Sequence, residues 1–306
     1  MIYTLTLNPA IDHVVFLSEL KQGGLNRANA QSIVFGGKGI NVSVMLNELG
    51  IRTCALGFIA GFTGRAIEEG LAQGGIPTDF ICLKDGLTRI NIKLKCGDET
   101  EINSDGPEIS KGDIDELFSK LNGIKKGDHL VLSGSVPKSV PEDIYERIMT
   151  EIDGRGINFT VDTGGKRLKS ALKYHPFLIK PNADELGEIF EDAPKSRGEV
   201  EQAASELREM GAKNVLVSMG RDGSILAAQD GKVYHMGVAH GELKNSVGAG
   251  DSMVAGFLAG YIQTRDVAYA QLLGTAAGGA TAFCEGIARR ADVMRMAEEL
   301  KNGDYT

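Results

Sequence analysis

Asn245-Ser246-Val247-Gly248-Ala249-Gly250-Asp251-Ser252 puts two glycines and an aspartate directly ahead of an apolar-periodic segment. Met253, Val254, Phe257, Leu258, Tyr261 and Ile262 recur at helical spacing, so the glycine-rich stretch is predicted to open a helix. Unpaired backbone N–H groups and the positive end of the helix dipole converge at such an opening and make a place for an anion. Gly248 and Gly250 have no Cβ, so a phosphate can approach the backbone closely. A carboxylate beside a phosphate is repelled, and Asp251 needs another reason to stand there. Taking the proton of a hydroxyl that attacks the phosphate is such a reason. An ordinary first-turn aspartate is the plainer one.

A second glycine cluster, Gly36-Gly37-Lys38-Gly39-Ile40-Asn41, precedes Val42, Met45, Leu46 and Leu49 at helical spacing, with Gly50 where the helix would stop. Neither cluster fits the common nucleotide motifs. The Lys38 cluster lacks the spacing and the following Ser or Thr of a Walker loop. The later one has Met253 where the dinucleotide fingerprint needs Gly or Ala, which counts against an NAD-dependent oxidoreductase.

These residues need elements to position them. Residues 3–7, 130–132, 159–161, 177–179 and 215–217 read as buried strands alternating with amphipathic segments, the pattern of an α/β fold with a parallel sheet covered by helices. The strands run into Asn8, Ser133, Asp162, Lys180 with Asn182, and Ser218. In open parallel sheets the ligand crevice lies beyond the carboxyl ends of the strands, so five polar endings describe one crevice. Residues 87–102 break this rhythm and read as a hairpin turning near Gly97-Asp98. Ile90, Ile92, Leu94 and Cys96 would share one face; Arg89, Asn91, Lys93 and Lys95 would share the other. A face with cations and an amide suits a lid over a phosphorylated ligand, although lysines also keep plain edge hairpins soluble. Residues 12–17 and the segment after Gly23-Gly24 could add strands to this small sheet.

The chain has 306 residues, with 33 basic and 41 acidic, for a formal net charge of -8. No dense basic stripe is present, which argues against nucleic acid as a partner. Against this acidic background Lys38, Arg89, Lys93 and Lys180 stand out as cations for phosphates. Cys54, Cys82, Cys96 and Cys284 lack metal-ligand spacing and read as reduced thiols, and the five histidines form no cluster. No apolar run approaches the roughly 20 residues of a membrane span, and no leader pattern is seen at the N-terminus. The expectation is a cytoplasmic protein with no membrane partner.

Six segments together resemble the ribokinase-like, PfkB-type carbohydrate kinases. They are Thr6-Leu7-Asn8-Pro9-Ala10-Ile11-Asp12, Gly36-Gly37-Lys38-Gly39-Ile40-Asn41-Val42 and Thr88-Arg89-Ile90-Asn91-Ile92-Lys93. Ser133-Gly134-Ser135-Val136-Pro137, Lys180-Pro181-Asn182-Ala183-Asp184-Glu185-Leu186 and Val247-Gly248-Ala249-Gly250-Asp251-Ser252 follow in family order. Within that family the chain is most similar to bacterial kinases of fructose 1-phosphate, with tagatose-6-phosphate kinases next. The resemblance implies a three-layer α/β/α core with a mostly parallel sheet (residues 1–10, 36–86 and 107–306) and a β-lid (11–35 and 87–106) through which two chains pair as a homodimer.

The resemblance also implies roles. Asp251 would be the general base, with the amides of Gly248, Ala249 and Gly250 as the anion hole. Asp12, Gly36, Gly37 and Asn41 would meet the sugar; Arg89 would grip its phosphate, helped by Lys38 and Lys93. Asn91, Asn103 and Ser135 complete the substrate set, and Arg27 lies in the same lid region. Lys180, Asn182, Glu185, Ser218, Gly220 and Gly223 would serve ATP, with Asn182 and Glu185 handling Mg2+ through water. Ala277 and Gly278, with Cys284 nearby, are assigned to the adenine slot. Lys138-Ser139 and Thr163-Gly164-Gly165 depart from the family's usual loops. The expected reaction is phosphorylation of fructose 1-phosphate to the 1,6-bisphosphate, with tagatose 6-phosphate as the alternative acceptor. A sugar-phosphate sensor without catalysis would have no need of Asp251.

Overall fold

The computed structural model describes residues 1–190, 192–244 and 246–303, so Asn245 of the glycine-rich motif lies outside the described residues. β1 (Ile2–Thr6) leads directly into β2 (Ala10–Phe16) and β3 (Ala30–Gly36), and only then into α1 (Lys38–Glu48). β4 (Thr53–Ala60), α2 (Gly61–Gln73) and β5 (Ile81–Leu83) precede a hairpin of β6 (Arg89–Cys96) and β7 (Asp98–Ile102). Then come α3 (Lys111–Asn122), β8 (His129–Ser133), α4 (Ile144–Ile152), β9 (Asn158–Asp162), α5 (Gly165–Ala171) and β10 (Leu178–Ile179). They are followed by α6 (Ala183–Phe190), α7 (Arg197–Glu209), β11 (Val215–Ser218), β12 (Ser224–Ala227) and β13 (Val233–Met236). Three helices follow these strands: α8 (Ala249–Thr264), α9 (Val267–Ala282) and α10 (Arg290–Lys301).

Among the described residues, nine strands form one sheet, ordered β13-β12-β11-β10-β9-β8-β1-β4-β5. Pairing is parallel from β11 to β5 and antiparallel only at β12 and β13. β1 sits between β4 and β8, so the connections diverge there, which makes a topological switch point. Side-chain alternation divides the core. Leu130, Leu132, Val215 and Val217 enter the cluster that packs α3 to α7; Val131 and Leu216 enter the cluster under α1, α8, α9 and α10. A sheet apolar on both faces is covered by helices on both. The result is the expected three-layer architecture.

The second sheet, ordered β3-β2-β6-β7, is built from two insertions into this framework. β2 and β3 interrupt the β1-to-α1 crossover; β6 and β7 interrupt the path from β5 to α3. The turn between β6 and β7 falls on Gly97, at φ 73°, as the hairpin reading requires. Asn91 and Lys93 are buried, whereas Ile90, Ile102 and Ile33 on the other face are exposed by 38%, 52% and 56%. The polar face therefore looks inward and the apolar face outward, the reverse of an ordinary half-buried sheet.

α8 is apolar all round and is buried from Asp251 to Gly260. It packs on α9 at backbone distance. A Cβ on Gly256 would stand 2.5 Å from the Leu273 carbonyl oxygen, and one on Gly274 would stand 2.9 Å from that of Met253. The helix that carries Asp251 is thereby fixed along its length.

Candidate functional site

α8 begins at Gly248, whose φ of 80° favours glycine, and a Cβ there would stand 2.6 Å from Ile287 Cδ1. Asp251 follows in the first turn, 5% exposed. Its Oδ2 accepts a hydrogen bond of 2.8 Å from Asn41 Nδ2, which α1 projects from the other glycine cluster. Gly37 starts that helix at φ 121°, with its Cα packed toward the Thr6 side chain, and Thr6 Oγ1 accepts from the Ile40 amide at 3.1 Å. The two glycine-rich helix starts, 210 residues apart between Asn41 and Asp251, are thus held together by one hydrogen bond.

Opposite α8 the strand ends bring together three charged groups. Asp162, at the end of β9, is fully buried, with Lys180 Nζ 3.4 Å from Oδ1 and Lys38 Nζ 3.3 Å from Oδ2. Neither oxygen accepts a well-directed hydrogen bond, so its charge is balanced by two ammoniums alone. Lys180 lies directly against the α8 start, since a Cβ on Gly250 would be 3.2 Å from its Nζ. Lys38, expected beside the sugar phosphate, is paired here with Asp162, because the first turn of α1 directs it across to β9. Asp162 is the residue the site reading passed over. The signal was available, as it is one of the five polar strand endings.

These neighbours set the protonation behaviour. Burial, then the charge of Asp162, pushes the Asp251 carboxyl up to about 6, against the opposing pull of Asn41, Lys38 and Lys180. Asp162 goes the other way: burial alone would raise it, but Lys180 and Lys38 hold it below the usual carboxylate range. Lys38 is raised, chiefly by Asp162. Two buried carboxylates with divergent affinities for a proton is the pattern of one structural anion and one group that can take up a proton.

The small sheet supplies the other wall. Asp12 Oδ1 accepts from Asn91 Nδ2 at 2.9 Å, and Oδ2 lies 3.7 Å from Lys93 Nζ. A Cβ on Gly36 would be 2.9 Å from Oδ2, so the glycine leaves that oxygen its space. Lys93 is also paired with Glu101 at 3.1 Å. Arg89 donates to the Asn8 carbonyl at 3.1 Å and keeps a buried Nε without a partner. Burial lowers its guanidinium's proton affinity. Asn103 stands just past the end of β7, exposed and donating to Glu101 at 3.2 Å. Ser135 and Arg27 are exposed, Ser135 beyond β8 and Arg27 between β2 and β3. Asn91→Ala is expected to raise KM for the acceptor about tenfold, through loss of a buried hydrogen bond to a charged group, with kcat changed less; steady-state kinetics checks it.

Two cavities flank the start of α8. One of about 800 Å3 lies between the small sheet and the core and is bordered by Asp12, Gly36, Asn41, Lys93 and Val247. The other, of about 650 Å3, is bordered by Ser218, Gly220, Gly223, Ala249, Gly250 and Gly278. Leu243 borders both. Gly220 and Gly223 have φ of 56° and 85° and shape the loop after β11. Asn182 and Glu185 form a reciprocal cap on α6: the Asn182 amide donates to Glu185 Oε2 at 2.9 Å, and the Glu185 amide to Asn182 Oδ1 at 2.8 Å. Ala277 is fully buried and faces α8, because its turn of α9 packs against Gly256, and Cys284 borders a different hollow. Val238, Met253, Thr275, Gly279 and Phe283 border the second cavity, a set that the sequence pattern alone had not marked.

Two cavities thus flank an anion-attracting helix start whose first turn carries the buried Asp251 carboxylate. Comparison with known proteins gives the family. The profile of the pfkB family of carbohydrate kinases matches residues 5–292. The 1-phosphofructokinase of Bacillus subtilis (strain 168) is 44% identical over 98% of this chain and 99% of its own. The D-tagatose-1-phosphate kinase of Bacillus licheniformis is 36% identical over 98% and 99%. The crystal structure of phosphofructokinase-2 from Escherichia coli in complex with substrates and products superposes with a TM-score of 0.93 at 27% identity, covering 98% and 99%. The chain belongs to the pfkB family of carbohydrate kinases.

Proposed function

We propose that this enzyme transfers the γ-phosphoryl group of ATP to the free primary hydroxyl of fructose 1-phosphate, giving fructose 1,6-bisphosphate and ADP. The observation that carries the reading is Asp251, buried next to Gly250, which borders one cavity, and hydrogen-bonded to Asn41, which borders the other. Its carboxylate accepts the C6 hydroxyl proton as that oxygen attacks the γ-phosphorus and the bond to ADP breaks. The amides of Gly248 and Gly250, with Lys180 beside them, receive the negative charge of the transferring group, while the Ala249 amide is turned to the Ser246 carbonyl at 3.3 Å. Asp12, aligned by Asn91 and Lys93, orients sugar hydroxyls, with Gly36 and Gly37 allowing the ring to approach the backbone. Arg89 meets the existing phosphate with its unpartnered Nε.

Among the described residues no cluster of three or more His, Cys, Asp or Glu could hold a metal ion. The donor set suits Mg2+ carried by nucleotide phosphates rather than caged by protein. The carboxylates of Asp162, ion-paired to Lys180 and Lys38, and of Glu185 would face its water shell, and the ion would neutralise phosphate charge. Residues 11–35 and 87–106 act as a lid, and the outward apolar face with Ile33, Ile90 and Ile102 pairs two chains as a homodimer. No helix among the described residues is long and apolar enough to cross a membrane. Four unpaired cysteines suit a reducing cytosol.

The relative named for D-tagatose 1-phosphate favours one second reading, with the phosphate at the same end of the sugar and a different ring stereochemistry. A coupled ADP-release assay with magnesium-ATP tests both, against fructose 1-phosphate, tagatose 1-phosphate, tagatose 6-phosphate and fructose 6-phosphate. Highest kcat/KM on fructose 1-phosphate is expected. Highest kcat/KM on either tagatose phosphate keeps the mechanism and replaces the acceptor, and no ADP release with any of the four overturns the reading. Because Asp251 must be ionised to act, activity should fall as pH drops through about 6 and stay level above it. A kcat/KM profile in a constant-ionic-strength buffer series checks this limb.

A further inference from the structure

We propose that the end of the main sheet opposite the α8 start carries a second binding site, for an organic phosphate, in a cavity bordered by Arg52 and Arg265. This cavity, of about 390 Å3, lies where β1, β8 and β9 begin, beside the last turns of α8. In a chain of net charge -8, no aspartate or glutamate borders it. Neither guanidinium has a hydrogen-bond or ion-pair partner among the described residues; Arg265 lies over the Tyr261 ring, 5.5 Å from its centre. The acids adjacent in sequence are already engaged. Asp128 accepts from the Met1 amino group and the Lys125 amide, and Asp266 caps α9 by accepting from Ala268 and Tyr269.

The backbone of Arg265 is an independent observation. It follows α8 at φ 60°, one of two non-glycine residues with positive φ among the described residues. That position ordinarily belongs to glycine, and another residue there costs about 1 kcal/mol. Such a cost marks a side chain held in place for a purpose. Beside it Tyr261 packs on Phe177, with ring centres 4.7 Å apart, and Phe177 meets His129 edge-on at 5.6 Å. Guanidiniums recognise phosphate by paired donors, and an aromatic wall takes the carbon body. The site is also mechanically connected. α8 runs about 21 Å from Asp251 to Arg265, at 1.5 Å per residue, so a ligand that draws in Arg265 acts on the helix that carries Asp251.

The test uses the full chain saturated with fructose 1-phosphate and a non-hydrolysable ATP analogue, titrated calorimetrically with phosphoenolpyruvate, AMP and inorganic phosphate. Arg52→Ala and Arg265→Gly are measured in parallel; the glycine suits the positive φ, so the second variant keeps the fold. Saturable binding is expected, weakened at least tenfold in each variant, with turnover in the absence of these probes unchanged. Tightest binding by phosphoenolpyruvate identifies a carboxy-phosphate, and by AMP a nucleotide; either supports the site. Binding that neither variant weakens, or no saturable binding by any of the three, overturns it. The outcome is separable from the acceptor assignment, because the two arginines lie away from both cavities at the α8 start.

Discussion

Asp251→Asn is expected to lower kcat by about 10²–10⁴-fold, leave KM for both substrates within about threefold, and make the protein more stable. The first part follows from removing the carboxylate proposed as the base, beside Gly250 and Asn41. The second follows because an asparagine fills the same volume and can accept from Asn41 Nδ2 as the carboxylate does. The third follows from linkage. The folded state raises Asp251 from its ordinary 3.8 to about 6, so it binds the proton more tightly than the unfolded chain does. Stability therefore falls as pH rises through that window and stays lower above it, a cost on the order of 3 kcal/mol at neutral pH. The amide carries no such cost. A melting temperature that rises at pH 7.5 while turnover collapses would distinguish a lost base from a damaged fold. Retention of more than a tenth of wild-type kcat would remove Asp251 from the reaction.

Asp162→Asn is expected to act in the opposite direction on stability. It strips the counter-charge from Lys180, which is buried, and from Lys38, which is half-exposed and can turn toward water. Breaking a buried pair from one side costs about 3–5 kcal/mol, and the mobility of Lys38 places the expected loss near the lower figure. The charge of Asp162 also helps raise Asp251, so its removal should shift the acid limb of kcat/KM to lower pH. The Asp162 contribution is lost as pH falls, because its carboxyl is held below the unfolded value. Urea titrations at pH 7.5 and a pH–rate series on the same variant measure both effects. A limb that stays near 6 would mean that the two carboxylates do not sense each other.

Much of this arrangement was legible in the residue pattern, for identifiable reasons. The strand endings at Asn8, Ser133, Asp162, Lys180 and Ser218 could be aligned because a parallel sheet places all its carboxyl ends on one side. The lid hairpin was legible from alternation alone, since a one-residue slip would exchange Lys93 for Ile92 on the inner face. Less visible was anything set by packing between distant helices. The burial of Ala277 depends on its crossing with Gly256, and no local pattern in α9 distinguishes it from Gly278. The destination of Lys38 depends on where β9 ends relative to α1, which is a property of sheet order.

The insertion of the small sheet into the β1-to-α1 crossover has a consequence for how this scaffold can diversify. Residues on the inserted strands, Asp12, Asn91 and Lys93, form one hydrogen-bonded and ion-paired group of their own. Asp251, Lys180 and Asp162 stand on the main sheet and its helices, with α8 locked to α9 along its length. Mutations in the inserted strands can therefore explore new acceptor shapes while the reacting groups keep their spacing. Selection for a different sugar would accumulate its changes there first and leave the chemistry heritable as a unit.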